Sequence, residues 1–329
     1  MRTRSAADDP AALERAVGYP AGGPAEPVAA LDAGQVRAEL AEHRMRPEWT
    51  WYAEDEDGRI LARALWWGRT DSERPLALDC LQVRPEVADP TALAAELLAA
   101  GHTAFGNRPL YNVSLPRAWR TDPALMAAVD WRREAARRVG LTSVVERLRY
   151  EWTPGDASTG DGPAVEEPAG PAAPAPGRLV FREGTDEEFL DAFARLSQGS
   201  LDLHTQTELR SQDALTVARE DLEYYRDCPG ERSWWRLAHL PGGELAGMAI
   251  PSRTPYHRNV GYLGVVPERR GQGLIDEILG EITRFHAGEG ANRITATTDT
   301  VNSPMAAAFD RAGYRVTEIR LVLEEPGEV

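Results

Sequence analysis

Apolar positions in the second half of the chain switch between strand and helix spacing in a readable order. Leu179 to Arg182 predicts a short strand. Thr185 and Glu188 form a capping box ahead of Phe189, Leu190, Phe193 and Leu196, which share one helical face. A polar stretch containing His204 leads into a second helical stripe of Leu215, Ala218, Leu222 and Tyr225. Trp234 to Ala238, Leu245 to Ile250 and Val260 to Val266 predict three strands, the first two joined by Pro241-Gly242-Gly243. Leu274, Ile275, Ile278, Ile282 and Phe285 give the apolar face of the next helix, and Arg293 to Thr297 a strand. Met305, Ala308, Phe309 and Ala312 face one way on a last helix, with Ser303 as its cap, Pro304 at its first position and Gly313 at its end. Arg315 to Leu323 closes the order β-α-α-β-β-β-α-β-α-β.

The first half repeats this pattern more faintly. Trp49 to Ala53, Ile60 to Trp67 and Leu76 to Val83 predict strands, Leu93 to Ala104 a helix, and Tyr111 to Leu115 a strand. Val83-Arg84-Pro85-Glu86 parallels Val265-Val266-Pro267-Glu268. Val139-Gly140-Leu141 parallels Ala312-Gly313-Tyr314, and Arg147-Leu148 follows its glycine at the distance of Arg320-Leu321. The chain therefore reads as a tandem duplication. Residues 154–177, rich in Pro, Ala, Gly and acids, predict an extended linker. The expected divisions are a flexible segment over 1–27, a degenerate domain over 28–153, the linker over 154–177 and a working domain over 178–329. Each domain is expected to be a mixed, mostly antiparallel sheet flanked by helices, an α/β (α+β) class fold.

Composition narrows the partners. Hydrophobic residues make up 42% and charged residues 27%, which suits a soluble globular chain. Acidic residues outnumber basic ones 52 to 37, and every basic residue other than histidine is arginine. The net charge of −15 argues against nucleic acid and anionic membrane and mildly favours an amine-bearing partner. Two cysteines in different halves, Cys80 and Cys228, give no disulfide framework, so a reducing cytoplasm is expected. Cys228 has no histidine partner in sequence for nucleophilic chemistry, and no Cys/His cluster has metal-ligand spacing, so no metal is expected. The paired tryptophans Trp66-Trp67 and Trp234-Trp235 read as packing.

One turn carries specific chemistry. Val265-Val266-Pro267-Glu268-Arg269-Arg270-Gly271-Gln272-Gly273-Leu274 joins a strand to an amphipathic helix. Its glycines let backbone approach a bulky ligand, and the helix start offers unpaired N–H groups to an anion. About thirty residues on stand Asn302, Met305, Phe309, Gly313 and Tyr314. Together these motifs resemble the GNAT superfamily of acyl-CoA-dependent N-acyltransferases, over roughly residues 178–325. The resemblance implies acetyl-CoA as co-substrate, with its diphosphate cradled by backbone of Arg270, Gly271, Gln272, Gly273, Leu274 and Ile275. Arg269 and Arg270 add positive charge. It also implies a splayed strand whose Leu263 and Val265 backbone pairs with the pantetheine arm, one N–H polarising the thioester carbonyl while an amine attacks directly.

Two positions depart from the family. Ile275 stands where Gly or Ala is usual and crowds the helix start. Phe309 replaces a tyrosine that often protonates the leaving thiolate, and phenylalanine donates no proton. Asn302 keeps the motif position that braces the turn. Asp299, His204 and His257 are the candidates for the general base, and each also has a purely structural reading. Tyr314 is expected in the core. After Pro85 the first half offers Val87-Ala88-Asp89-Pro90 in place of Arg-Gly-x-Gly, so that half is expected to hold no coenzyme A.

The expected activity is acetyl transfer to a primary amine of a small molecule or peptide. The chain would act as a monomer with an internal pseudo-dimer, or as a homodimer. The layout is similar to that of mycothiol synthases, which pair an inactive first half with an active second half. A non-catalytic acyl-CoA-binding or sensing module is the alternative of a different class.

Overall fold

The computed structural model describes residues 1–20, 28, 30–155 and 177–326. In chain order the first part forms β1 (Arg2–Ser5), α1 (Pro10–Val17), α2 (Ala33–Ala41), β2 (Thr50–Glu54), β3 (Ile60–Trp67), β4 (Ala77–Val83), α3 (Pro90–Phe105), β5 (Leu110–Leu115), α4 (Pro123–Arg138) and β6 (Ser143–Trp152). The second part forms β7 (Val180–Arg182), α5 (Asp186–Ser197), α6 (Leu203–Ser211), α7 (Ala214–Asp227), β8 (Arg236–His239), β9 (Leu245–Arg253), β10 (Arg258–Val265), α8 (Leu274–Gly288), β11 (Ile294–Asp299), α9 (Ser303–Arg311) and β12 (Arg315–Glu324). Among the described residues no helix is long and apolar enough to cross a membrane.

The chain divides into two units, and their membership crosses the sequence midpoint. One comprises Met1–Glu146 with Glu318–Pro326; the other comprises Arg147–Thr317. In the first unit the sheet runs β1-β2-β3-β4-β5 and is completed by β12, whose Ile319 to Leu323 pair antiparallel with Leu115 to Tyr111. In the second unit the sheet begins with β6, whose Arg147 to Trp152 pair antiparallel with Asp299 to Ile294 of β11, and continues β10-β9-β8-β7. Each sheet is thus finished by a strand from the other half of the sequence. The final strand, expected to serve the second half, lends its C-terminal part to the first unit's sheet. Local alternation shows that a segment is a strand but not which edge it will join.

The second unit is a sheet between two helical layers. Phe189, Phe193 and Leu196 of α5 and Ala218 and Leu222 of α7 pack with Met248 and Ile250 on one face. Leu274, Ile278, Leu279 and Ile282 of α8, with Met305, Ala308 and Phe309 of α9, pack on the other. Each large apolar side chain buried this way contributes roughly 1.5–3 kcal/mol. The capping box of α5 forms as the spacing predicts: Glu188 N–H donates to Thr185 Oγ1 at 3.3 Å and Thr185 N–H donates to Glu188 Oε2 at 2.9 Å. The polar stretch around His204 is itself helical, as α6. It buries no residue, so it shows no apolar stripe, and its cap is Asp202, which accepts from Thr205 N–H at 2.9 Å. The cap of α9 is Asn302 and not Ser303: Asn302 Oδ1 accepts from Met305 N–H at 3.3 Å.

Within the segment expected to be flexible, 1–27, residues 1–20 form β1 and α1, and residues 21–27 lie outside the described residues. β1 pairs antiparallel with β2, and Asp9 caps α1 by accepting from Ala12 N–H at 2.8 Å. The cause lies far away in sequence. Arg63, fully buried in β3, donates to Ala16 O at 2.8 Å, Leu31 O at 2.6 Å and Gln82 Oε1 at 2.7 Å. A buried guanidinium needs such acceptors, and these carbonyls tie the α1 and α2 region to the sheet. The expected linker falls, apart from its ends, outside the described residues.

The shared strands yield a prediction. A fragment of residues 1–146 leaves β5 as an unpaired edge and will aggregate. The same fragment with residues 318–326 appended through a short spacer will unfold cooperatively on heating, measured by circular dichroism. Equal behaviour of the two fragments would count against the strand assignment.

Candidate active site

β10 pairs with its neighbours unequally. It runs antiparallel to β9 from Arg258↔Arg253 to Val265↔Gly247, with a bulge between Val260 and Tyr262. The bulge centres on Gly261, where a Cβ would stand 2.7 Å from Ile250 O. Against β11 it pairs, in parallel, only at Arg258↔Ile294 and Asn259↔Thr295. Beyond Asn259 the two strands part. Val266 N–H donates to Ala246 O at 3.0 Å, so antiparallel alternation turns Gly264 and Tyr262 toward β9. Leu263 and Val265 present their backbone to the opening. The Val265 carbonyl is taken by Arg270 Nε at 3.1 Å.

The strand ends in the glycine turn. Gly271 and Gly273 have φ of 74° and 72°, left-handed values that suit glycine and strain other residues. Gly273 caps α8 without any side-chain bond. The N–H groups of Gly271, Gln272, Gly273, Leu274 and Ile275 have no acceptor among the described residues. They form a cluster of donors at the positive end of a fifteen-residue helix. Asp276 and Glu277 do not oppose an anion there, because both are held by arginines. Arg311 donates to both Asp276 oxygens, at 2.6 and 3.1 Å, and Arg178 Nε donates to Glu277 Oε1 at 2.9 Å. Arg270 has a bracing role besides its charge: it donates to Leu196 O at 2.9 Å and Gly199 O at 2.8 Å, fastening the end of α5 over the turn.

These elements enclose a cavity of about 450 Å3. Of the predicted cofactor residues it brings together Leu263, Val265, Arg269, Arg270, Gly271, Gly273, Leu274, Ile275 and Asn302. Gln272 stands outside, exposed, with its carbonyl accepting from Arg178 Nη2 at 3.0 Å. Phe309 is not a wall of the cavity. It is 1% exposed and stacked on Tyr150, with centroids 4.8 Å apart, because its helix face turns into the core. Tyr314 is likewise buried, its hydroxyl 2.9 Å from Thr283 Oγ1. Gly199, Ser200, Leu201, Tyr262 and Gly264 also line the cavity, and no motif in the sequence marks them; Leu196, Pro304 and Met305 line it as well.

The three candidate bases are not brought together. Asp299 is 1% exposed; its Oδ1 accepts from Arg147 Nε at 3.1 Å and its Oδ2 from Leu203 N–H at 2.8 Å. Both oxygens are engaged, so it fixes the start of α6 and is not placed to take a substrate proton. His257 lines a different pocket, at the start of β10. The eight-residue strand puts it roughly 25 Å from the glycine turn. His204 is exposed on α6, 3.0 Å from Glu208 Oε1.

That pair belongs to an acidic group on α6 and α7, two members of which, Asp221 and Asp202, lie near the cavity residue Tyr262. Burial, then repulsion from Glu208, Asp202 and Glu220, raises the Asp221 carboxyl from 3.8 to about 7, while His204 pulls it down. Burial also raises Glu208. Tyr262, raised by burial and then by Asp221 and Asp202, packs edge-on against Tyr225 at 5.4 Å. Asp221 sits one turn before Tyr225 on α7, a spacing visible in the sequence, but its significance depends on α6, which the apolar pattern does not reveal.

The first unit has the same splay, with its counterpart backbone groups occupied by side chains. β4 pairs with β5 only at Ala77↔Leu110 and Leu78↔Tyr111. Arg84 N–H donates to Leu61 O at 2.8 Å as Val266 does to Ala246, so Leu81 is the counterpart of Leu263. Its carbonyl is occupied by Arg132 of α4, 1% exposed, which donates to it from Nη2 at 3.1 Å. Counting back from Gly140 and Gly313, Arg132 matches Met305, a cavity residue in the second unit. The start of α3 is also closed, since Asp89 accepts from Ala92 N–H at 2.9 Å. Replacing Arg132 with Met will strand the Leu81 carbonyl and destabilise the chain by about 1–3 kcal/mol. Thermal unfolding monitored at the tryptophans checks this, and an unchanged Tm would show that Arg132 does not hold the cleft shut.

Residues 203–314 match the family model described as acetyltransferase (GNAT) family. Among curated proteins no sequence matches this chain. Among solved structures the chain is similar to a GCN5-related N-acetyltransferase from Sphaerobacter thermophilus, at 17% identity and TM-score 0.54, over 100% of this chain and 96% of that one. It is also similar to a tandem GNAT protein from the clavulanic acid biosynthesis pathway, at 16% identity and TM-score 0.46, over 99% and 98% of the two chains. A GCN5-related N-acetyltransferase from Kribbella flavida matches at 14% identity and TM-score 0.45, over 89% and 93%. The first likeness establishes the fold across the chain. With the splayed strand and the glycine turn in place, residues 203–314 form a domain of the acetyltransferase (GNAT) family.

Proposed function

We propose that the second unit transfers an acetyl group from acetyl-CoA to a primary amine of a small molecule or peptide, both bound at once. The observation that carries this is the meeting of two sets of backbone N–H groups without an acceptor among the described residues in one cavity: those of Leu263 and Val265 on the strand edge, and those of Gly271, Gly273, Leu274 and Ile275 in the turn. Bound acetyl-CoA supplies an activated acyl group as a thioester. The turn N–H groups hold its diphosphate, with Arg269 beside them. The Leu263 and Val265 edge pairs with the pantetheine arm and donates to the carbonyl oxygen where negative charge grows. The acidic group around Asp221 draws a cationic amine, and Asp221 accepts its proton. Phe309 donates no proton, so water serves the departing thiolate. The first unit, its cleft filled by Arg132, serves as scaffold.

Thiol release from acetyl-CoA with a panel of amines tests the reading. Release that depends on an amine is the expected result. Tight coenzyme A binding with no release on any amine would indicate a sensing module, a reading that Ile275 and Phe309 favour. Gly273→Val forces a β-branched side chain into left-handed backbone, a strain of about 1–3 kcal/mol at the phosphate grip. It will weaken coenzyme A binding about ten-fold or more by calorimetry, whereas Ala88→Val will leave it unchanged.

Asp221 predicts the pH dependence. A base with a raised pKa works only when ionised, so turnover at saturating substrate will rise as pH passes through about 7. The stability sign is opposite: the folded chain holds this proton above the unfolded pKa, so stability falls as pH rises from about 4 to 7. Asp221→Asn will therefore lose turnover yet raise Tm at pH 8, by about 2–4 °C for each kcal/mol relieved. A variant that keeps its turnover would remove Asp221 from the mechanism.

A further inference from the structure

A second concavity, of about 590 Å3, opens at the opposite end of β10, where β9 turns into β10 and α8 hands over to β11. Its charged lining is Arg253, Arg258, Arg293 and one carboxylate, Glu289, with His257 and Asn292 among its other polar residues. This is an unusual charge balance for a chain with 52 acidic and 37 basic residues. Most arginines of the second unit are matched by carboxylates, as Arg178 is by Glu277, Arg232 by Asp186 and Arg311 by Asp276. Arg253 and Arg258 have no carboxylate partner among the described residues.

Two of the three arginines are also held in place. The Arg258 guanidinium lies 5.1 Å from the Trp234 ring centroid, which covers one face and leaves the in-plane N–H edge to meet an oxyanion. Arg293 is anchored at the pocket by Glu151, which it meets through Nη2. The three arginines come from three elements: Arg253 ends β9, Arg258 opens β10 and Arg293 precedes β11. They surround the point at which β10 and β11 are still paired, at Arg258↔Ile294.

We infer that this pocket binds a small polyanion carrying two or more carboxylate or phosphate groups, which bridges Arg253, Arg258 and Arg293. The site is independent of the glycine turn, since the eight residues of β10 separate them by roughly 25 Å. The ligand joins the ends of three strands, so it also stiffens the apex from which the coenzyme cleft opens.

The test is calorimetric titration of the full chain with citrate and with inorganic pyrophosphate, at fixed ionic strength. Three proteins are compared: the natural chain, Arg253→Gln with Arg258→Gln, and Gly273→Val. The last is included because pyrophosphate could seat on the glycine turn. The expected result is that at least one probe binds the natural chain and Gly273→Val alike, and binds the double variant about ten-fold or more weakly. Citrate alone would assign a carboxylate ligand, and pyrophosphate alone a phosphate one. An unchanged circular dichroism spectrum and cooperative melting show that the double variant is folded; if it is not, Arg253→Gln alone, at an exposed position, takes its place with the same expectation. No binding of either probe, equal binding by the double variant, or binding lost only in Gly273→Val would each overturn the assignment.

Discussion

Backbone N–H and C=O groups inside a protein need partners, and β10 leaves some of its own without a neighbouring strand. After Asn259 it keeps β9 on one side and loses β11 on the other. Much of the second unit follows from that divergence. Leu263 and Val265 present an unfinished sheet edge, and an extended ligand with amide groups is the natural complement to such an edge. The glycine turn then sets a cluster of donors at the end of the same strand, so one molecule with an amide arm and a diphosphate satisfies both.

The walls of that opening are held by charged groups acting on backbone. Arg270 spans Val265, Leu196 and Gly199, linking the strand end to the end of α5. Asp299 receives Arg147 on one oxygen and Leu203 N–H on the other, linking β11 to α6. Arg147 belongs to the strand that the first half of the sequence contributes. The first unit shows the same divergence treated differently: Arg132 occupies the Leu81 carbonyl and Asp89 the helix start. One architecture thus gives an open cleft where the lining is Met305 and glycine, and a sealed one where it is arginine and aspartate.

What could be read from the sequence divides along local and non-local physics. Alternation, capping boxes and the Gly271 and Gly273 turn depend on neighbours in sequence, and they marked the second unit's elements and the glycine-turn wall of the cavity. The exchange of β6 and β12, the ordering of residues 1–20 by Arg63 and the role of Asp299 depend on contacts between distant segments. The surroundings of α6 were the least legible part. α6 has no apolar face to announce it, and Asp221 gains its raised pKa only through burial and through Glu208 and Asp202 across the helix pair. His257 illustrates the converse: its nearness in sequence to β10 suggested the active site, yet it lies at the strand's other end.

The central claim is that one backbone surface, from Leu263 through Ile275, receives the acyl-CoA. Hydrogen–deuterium exchange of the full chain with and without coenzyme A addresses it at the level of single amides. Protection should appear at Leu263, Val265 and Gly271 to Ile275, with no change at Leu81, Val83 or the start of α3. Protection in the first unit, or none at the glycine turn at saturating coenzyme A, would contradict the account.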